Sequence, residues 1–375
     1  MPVANGHPPA WRPLRVVIAG GGTGGHLFPG IALAGEFMAR SLQSRVLFVG
    51  AGRPFEKTAL ARAGFPQATI AIEGIKGRGL WARLRAVMKI PGAVWRSGSI
   101  LADAGADLVV GVGGYAAGPV ALAAWLKGVP LVVCEQNSVP GITNRLLVPL
   151  ARRVYVSFAD TRGKIDPAKM RVTGNPVRQA IVAMQSIPIK DEPRFTVFVV
   201  GGSQGAHAIN MAFLAALPHL RCRETLRIVH QTGEADLAAV AAGYRAAGVD
   251  AEVKAFFHDM APRYAAADIV VCRAGATTVA ELTAMGKAAL FIPFPFAADN
   301  HQEHNARALV ERGAAQMILE SDLTGAELAR RLDDLSGAPA QLAELAAQSK
   351  ALGRPLAAKS IVDDCYQLLG NAPCI

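Results

Sequence analysis

Two glycine-rich turns, each reached through a run of β-branched and apolar residues, constrain this chain most. The first reads Arg15-Val-Val-Ile-Ala-Gly20-Gly-Gly-Thr-Gly-Gly25-His26 and the second Phe195-Thr-Val-Phe-Val-Val200-Gly-Gly-Ser203-Gln-Gly205. A buried strand that passes through glycines into a helix presents backbone N–H groups at the positive end of a helix dipole, which is an anion site. Two such units half a chain apart predict two nucleotide-type folds. With 375 residues, the chain is longer than one hydrophobic core usually serves.

The pattern between the turns agrees. Short apolar runs at residues 16–19, 46–49, 108–112, 131–134 and 154–157 alternate with helix-length segments. After Gly174-Asn175-Pro176 the alternation restarts at 196–200, 226–230, 251–255, 269–272 and 289–292. This predicts an α/β protein of two doubly wound parallel sheets with a hinge at 174–176. Ligands of open α/β sheets bind beyond the carboxyl ends of the strands, so the glycine turns are expected to line an interdomain cleft.

Charge separates the halves. Residues 1–175 hold 21 Lys and Arg against 8 Asp and Glu, whereas the remainder holds 18 against 21, so all of the +10 net charge comes from the first half. That asymmetry suits an anionic partner, whether phosphate, nucleic acid or an acidic membrane surface, although a basic solvated face gives the same count. Residues 79–89 place Leu80, Leu84, Val87 and Met88 at helical spacing, with Trp81, Arg83, Arg85 and Lys89 among them. Such a helix either covers a core or lies on an anionic bilayer. No uninterrupted apolar run is long enough to span a membrane, and residues 1–13 read as a loose tail without a signal-peptide core. Five cysteines (Cys134, Cys222, Cys272, Cys365, Cys374) form no C-x-x-C pair, against structural zinc and against a disulfide framework.

Each motif admits more than one chemistry. Gly20, Gly22 and Gly25 satisfy the dinucleotide fingerprint, but the next strand ends in Gly50-Ala-Gly-Arg53 without the ribose-binding acid that an NAD site needs. Gly201-Gly-Ser203-Gln-Gly205 fits the nucleophile elbow of a serine hydrolase, with Asp299 and His301 following in order; Ser203 at a helix start serves equally well as a phosphate donor. His26 follows the first glycine turn, where an imidazole can take a hydroxyl proton near neutral pH, and Pro29 is placed to open the next helix. Glu135 and Asn137 end a strand and either orient hydroxyls or cap the helix that follows. No D-x-D triplet and no Walker motif occurs, so a transferase of this kind would neutralise a departing diphosphate with helix N-termini and basic residues such as Arg178 rather than with a metal.

Taken together, Gly20-Gly-Gly-Thr-Gly-Gly-His-Leu-Phe-Pro-Gly30, Gly111-Val-Gly-Gly-Tyr115, Glu135-Gln-Asn137, Gly174-Asn-Pro-Val-Arg178, Gly201-Gly-Ser-Gln-Gly205, Cys272-Arg-Ala-Gly275 through Glu281, and Asp299-Asn-His-Gln302 with Asn305-Ala306 resemble the MurG family. The resemblance runs in order over about residues 14–360. It implies a GT-B fold: an acceptor and membrane-associating domain at 14–175, a UDP-GlcNAc-binding domain at 176–355, and a C-terminal helix within 356–375 that packs back on the first domain. It also implies inverting transfer of GlcNAc from UDP-GlcNAc to the C4 hydroxyl of MurNAc in lipid I, undecaprenyl-pyrophosphoryl-MurNAc-pentapeptide, giving lipid II. A same-fold transferase acting on another lipid or natural-product acceptor is the alternative.

By this resemblance the donor contacts are Thr23, Gly24, Gly25, Asn137, Arg178, Ser203, Phe257, Ala276, Thr277, Thr278, Val279, Ala280, Glu281 and Gln302. Arg178 and Ser203 fall on the diphosphate, the Phe257 backbone on uracil, Glu281 on the ribose, and Asn137 with Gln302 on the sugar. Gly21, Gly22, Thr23 and Tyr115 would meet the acceptor pyrophosphate. His26 is the preferred general base and Glu135 the second candidate. Leu80, Trp81, Arg83, Leu84, Arg85, Met88 and Lys89 would touch the membrane. No cofactor or metal is expected and no nucleic acid; the expected partners are UDP-GlcNAc, lipid I, an anionic inner-membrane surface on its cytoplasmic face, and cell-wall synthesis and division proteins. Cys134 stands where many relatives have His, and the N-terminal tail is additional.

Overall fold

Strand β1 (Arg15–Gly20) is buried at every position after Arg15 because both its faces are covered, as in an all-parallel sheet. Val16 and Ile18 enter one core with Leu33, Phe37 and Tyr366; Val17 and Ala19 enter the other with Val120 and Ala121. The computed structural model describes residues 11–72, 88–184, 194–202 and 204–370. The chain divides into two units. The first comprises residues up to Gln136, Pro140–Pro176 and the segment from Leu356 onward; the second comprises Asn137–Val139 and Val177–Pro355.

In the first domain β1 is joined by β2 (Arg45–Gly50), β3 (Gln67–Thr69), β4 (Leu108–Gly113), β5 (Leu131–Glu135), β6 (Arg153–Val156) and β7 (Met170–Val172). The order is β3-β2-β1-β4-β5-β6-β7, with parallel pairing throughout. The connection reverses direction across the sheet between β1 and β4, so the first glycine turn leaves β1 at the switch point where such sheets bind ligands. Helix Ala357–Leu368 belongs to this domain: Ile361, Val362, Cys365 and Tyr366 are buried in its core. The Arg40 Nε donates to Asp363 at 3.0 Å and the Tyr155 hydroxyl to Asp364 at 2.7 Å.

The second domain repeats the plan with β8 (Phe195–Val200), β9 (Leu226–Gln231), β10 (Ala251–Lys254), β11 (Ile269–Cys272), β12 (Ala288–Phe291) and β13 (Gln316–Met317). Its parallel order is β10-β9-β8-β11-β12-β13, and β8 and β11 flank the switch point. The loops after β8, β10, β11 and β12 therefore all emerge at one edge.

One local expectation is corrected. Pro29 does not open a helix; the helix Gly24–Arg40 starts five residues earlier and Pro29 lies inside it. Gly24 and Gly25 let the first turn form directly from the loop, and Pro29 costs that turn only the N–H that the Gly25 carbonyl would otherwise accept.

Candidate functional site

The first glycine turn is packed backbone to backbone against the end of β4. A methyl group at Gly20 would lie 2.2 Å from the Gly113 carbonyl oxygen, and one at Gly114 would lie 2.6 Å from that of Gly21. Only glycines allow this approach, and Gly20, Gly21, Gly113 and Gly114 all have positive φ. The turn delivers Thr23 as N-cap of Gly24–Arg40 and His26 in its first turn. The His26 ring rests on Gly113, where an added Cβ would stand 2.7 Å from Cδ2 and 3.0 Å from Nε2. Its Nδ1 is 3.3 Å from the Thr23 hydroxyl. When Nδ1–H donates to Thr23, Nε2 carries the lone pair that a general base needs. Tyr115 follows the same β4 loop and is partly exposed.

A carboxylate absent from the sequence reading sits beneath this turn. Glu56 is buried, and its Oε1 accepts the Gly22 N–H at 2.6 Å. Its Oε2 accepts from Gly52 N–H, Arg53 N–H and Gln67 Nε2 at 2.9, 3.2 and 3.1 Å. The Gly50–Arg53 turn does have an acid; it comes from the third position of helix Pro54–Ala63, where a glutamate commonly caps its own helix. Gly22 thus gives its N–H to protein.

Glu135, the second candidate base, is buried at the end of β5. Its Oε2 accepts from Asn144 Nδ2 at 2.8 Å and from the N–H of Gly141, the N-cap of helix Ile142–Leu147, at 3.1 Å. This is the capping role that the sequence left open.

In the second domain the end of the turn after β8 packs tightly against the backbone that follows β9. A Cβ at Gly205 would meet the Thr232 carbonyl at 2.3 Å, and Gly202 and Gly205 have positive φ. The turn feeds helix His207–Ala216, whose inner end is tied by a buried chain of polar groups. The Tyr244 hydroxyl donates to His230 Nδ1 (2.8 Å) and His230 Nε2–H to Asn210 Oδ1 (3.0 Å). Asn210 Nδ2 in turn donates to the Thr232 carbonyl (2.9 Å) and to Asp236 (2.8 Å). Burial holds His230 neutral, with its pKa lowered to about 3. Ser203 lies outside the described residues.

The other donor candidates of this domain form two groups. Helix Ala276–Met285 carries Ala276, Thr277, Thr278, Val279, Ala280 and Glu281 in its first turns, with Gly275 as a cap that supplies no side chain. Glu281 is 3% exposed and accepts from Arg178 Nε at 2.8 Å; the buried Tyr264 hydroxyl also bonds it. Burial works against the Arg178 charge, but Glu281 more than offsets it and raises the guanidinium above its usual pKa. In the second group the Phe257 ring is buried between Arg263 and Lys254, with the cations 4.9 and 5.2 Å from its centroid. The Phe257 N–H donates to Gln231 Oε1 at 2.9 Å. Gln231 and Tyr264 were not among the sequence candidates.

Asn137 is oriented by the fully buried Asn305, whose Nδ2 donates to Asn137 Oδ1 (3.4 Å) and to the Ala274 carbonyl (3.1 Å) while its Oδ1 accepts from Ser138. Gln302 accepts the Phe294 N–H at 3.0 Å, after a turn in which Asp299 and Asn300 hold left-handed φ values of 53° and 52°. His301 Nδ1 bonds the Ala298 carbonyl at 2.7 Å, which is not the Asp-oriented imidazole of a serine hydrolase. Of the membrane candidates, Leu80, Trp81, Arg83, Leu84 and Arg85 lie outside the described residues; Met88 is exposed and Lys89 precedes helix Ile90–Ala104. Among the described residues no helix is long and apolar enough to cross a membrane, and no three His, Cys, Asp or Glu side chains gather as a metal site.

Two family models match the chain. Residues 16–156 match the glycosyltransferase family 28 N-terminal domain and residues 196–361 the family 28 C-terminal domain. A relative from Syntrophus aciditrophicus (strain SB), named UDP-N-acetylglucosamine--N-acetylmuramyl-(pentapeptide) pyrophosphoryl-undecaprenol N-acetylglucosamine transferase, is 48% identical over 95% of this chain and 99% of its own length. A relative of the same name from Myxococcus xanthus (strain DK1622) is 46% identical over 95% of this chain and 93% of its own. The crystal structure of Acinetobacter baumannii MurG is 33% identical with a TM-score of 0.74, covering 94% of this chain and 99% of that one. The UDP-GlcNAc 2-epimerase of Neisseria meningitidis, 14% identical with a TM-score of 0.67 over 94% of this chain and 99% of that one, shares the fold alone. With two parallel-sheet Rossmann-like domains of the GT-B class and relatedness along nearly its whole length, this chain belongs to the MurG family of glycosyltransferase family 28.

Proposed function

We propose that the protein transfers GlcNAc from UDP-GlcNAc to the C4 hydroxyl of MurNAc in lipid I, with inversion, to give lipid II. The observation that carries the donor assignment is the Arg178–Glu281 pair of the second domain. In the first domain a turn N–H is taken by the buried Glu56 carboxylate; in the second the Gly201 and Gly205 N–H groups go to the Gln231 and Gly202 carbonyls, and the Gly202 carbonyl also accepts from Gln231 Nε2 at 3.0 Å. The same domain supplies Arg178 for diphosphate charge and Glu281 for a ribose diol, joined at 2.8 Å. Asn137 and Gln302 complete the set as contacts of the sugar.

His26 then removes the proton from the acceptor hydroxyl as it attacks the anomeric carbon and UDP departs. Glu135 acts by holding the Asn144 and Gly141 loop, and Thr23 to Gly25 meet the acceptor pyrophosphate through the helix start. Transition-state charge on the leaving diphosphate is met by Arg178 and helix N-termini, with no metal in this reading. The basic first half, with Trp95, Trp125 and Met88 exposed on the first domain, supports peripheral binding to an anionic membrane surface.

The reading is tested by a split in kinetic constants. Arg178→Ala removes a charge-assisted contact worth about 1.5–3 kcal/mol, so UDP affinity falls roughly 10- to 100-fold. His26→Ala lowers kcat by about 10²-fold or more and leaves UDP affinity unchanged. An unchanged kcat in His26→Ala removes this residue from the mechanism.

A further inference from the structure

We propose that Gln231 is a positioning residue for the donor nucleotide, one that sets the spacing between the loop meeting the nucleobase and the loop meeting the diphosphate. The proposal rests on the donor reading given above. Gln231 is the last residue of β9, the middle strand of the adjacent trio β10-β9-β8. Its backbone carbonyl extends the ladder by accepting the Gly201 N–H at 3.2 Å. Its side chain leaves the ladder and reaches to both sides. On the β8 side, Nε2 donates to the Gly202 carbonyl at 3.0 Å; on the β10 side, Oε1 accepts the Phe257 N–H at 2.9 Å.

One partner is an obligate acceptor and the other an obligate donor, so the amide has a single orientation. Gln231 is 1% exposed, at a place where β8, β11 and β12 end in the apolar Val200, Cys272 and Phe291. A buried amide used at both ends is costly to replace, and both of its partners are loop backbone groups rather than strand partners. Breaking it lets the two loops separate without unpairing the sheet. A ligand that bridges both loops through a ribose of fixed length gains from having their separation preset; ligands that occupy one loop do not.

This distinguishes positioning from general support. UDP binding is measured by calorimetry, and uridine and inorganic pyrophosphate by NMR titration, in the wild-type protein, in Gln231→Met, which fills similar volume without either hydrogen bond, and in Gln231→Glu, which keeps the acceptor for Phe257 and loses the donor for Gly202. The expected result is UDP binding weakened tenfold or more in both variants, with uridine and pyrophosphate each within twofold of wild type. The KM for UDP-GlcNAc should rise while that for the acceptor holds. Unchanged UDP affinity in a folded variant overturns the proposal, as does an equal loss for UDP and one fragment, which marks damage to a single loop. If the methionine variant fails to fold, the glutamate variant carries the comparison. Absence of UDP binding in the wild type would instead overturn the donor reading itself, and the inference with it.

Discussion

Gly113→Ala offers a direct test of the geometry around His26, because the substitution adds one methyl group and removes no functional atom. Gly113 has φ of +93°, so the alanine backbone is strained by about 1–3 kcal/mol. The new Cβ would stand 2.7 Å from His26 Cδ2. Carbon pairs settle at about 3.5–4.0 Å, so the ring must retreat by roughly 1 Å. A catalytic group displaced by about that distance loses on the order of 10² in rate. The variant should therefore lower kcat about 100-fold in a coupled UDP-release assay with a soluble lipid I analogue. The KM for UDP-GlcNAc should stay within about twofold of wild type, because the donor contacts assigned here are concentrated in the other domain. Strain should lower the thermal midpoint by about 2–4 °C per kcal/mol, which checks that the protein still folds. Combining Gly113→Ala with His26→Ala should be no slower than His26→Ala alone, since both act on one group. Two results would refute the reasoning: a folded Gly113→Ala with kcat near wild type, or a double variant in which the losses multiply.

Two further outcomes follow from buried polar groups. Glu56→Gln keeps the shape but turns an NH2 toward backbone donors, so at about 1–3 kcal/mol per unsatisfied group it should lower the melting midpoint and kcat while UDP affinity, read by calorimetry, stays constant. For His230 the folded pKa, about 3, lies below the unfolded 6.5, so the unfolded chain binds the proton first as pH falls. That part of the stability is complete above about pH 6.5 and declines toward pH 3 by about 1.4 kcal/mol per pH unit; unfolding midpoints of His230→Gln across this range should show a flatter dependence, and equal slopes would contradict the assignment.

The long central strands were legible because parallel strands covered on both faces must be continuous apolar runs. Strands β3, β7 and β13 were not, since Gln67–Thr69, Met170–Val172 and Gln316–Met317 are short edges that are only partly buried. The glycine turns announced both loops, but not what holds them. Glu56 looked like an ordinary residue in the first turn of a helix; the only signal was its place two residues after Pro54, where capping acids occur. Gln231 looked like the polar end of a strand, and nothing in Val229-His-Gln-Thr232 says that its amide spans two loops far apart in sequence. Asn137 was identified from the Glu135-Gln-Asn137 motif, yet its assignment with Asn305 to the second domain depends on long-range packing that periodicity does not encode.

The central claim is sugar transfer from UDP-GlcNAc to lipid I without a metal. It is tested most directly by measuring UDP release with and without a water-soluble lipid I analogue, in the presence of EDTA. Release should depend on the acceptor and persist in EDTA. Release without acceptor, or release that EDTA abolishes, would contradict it.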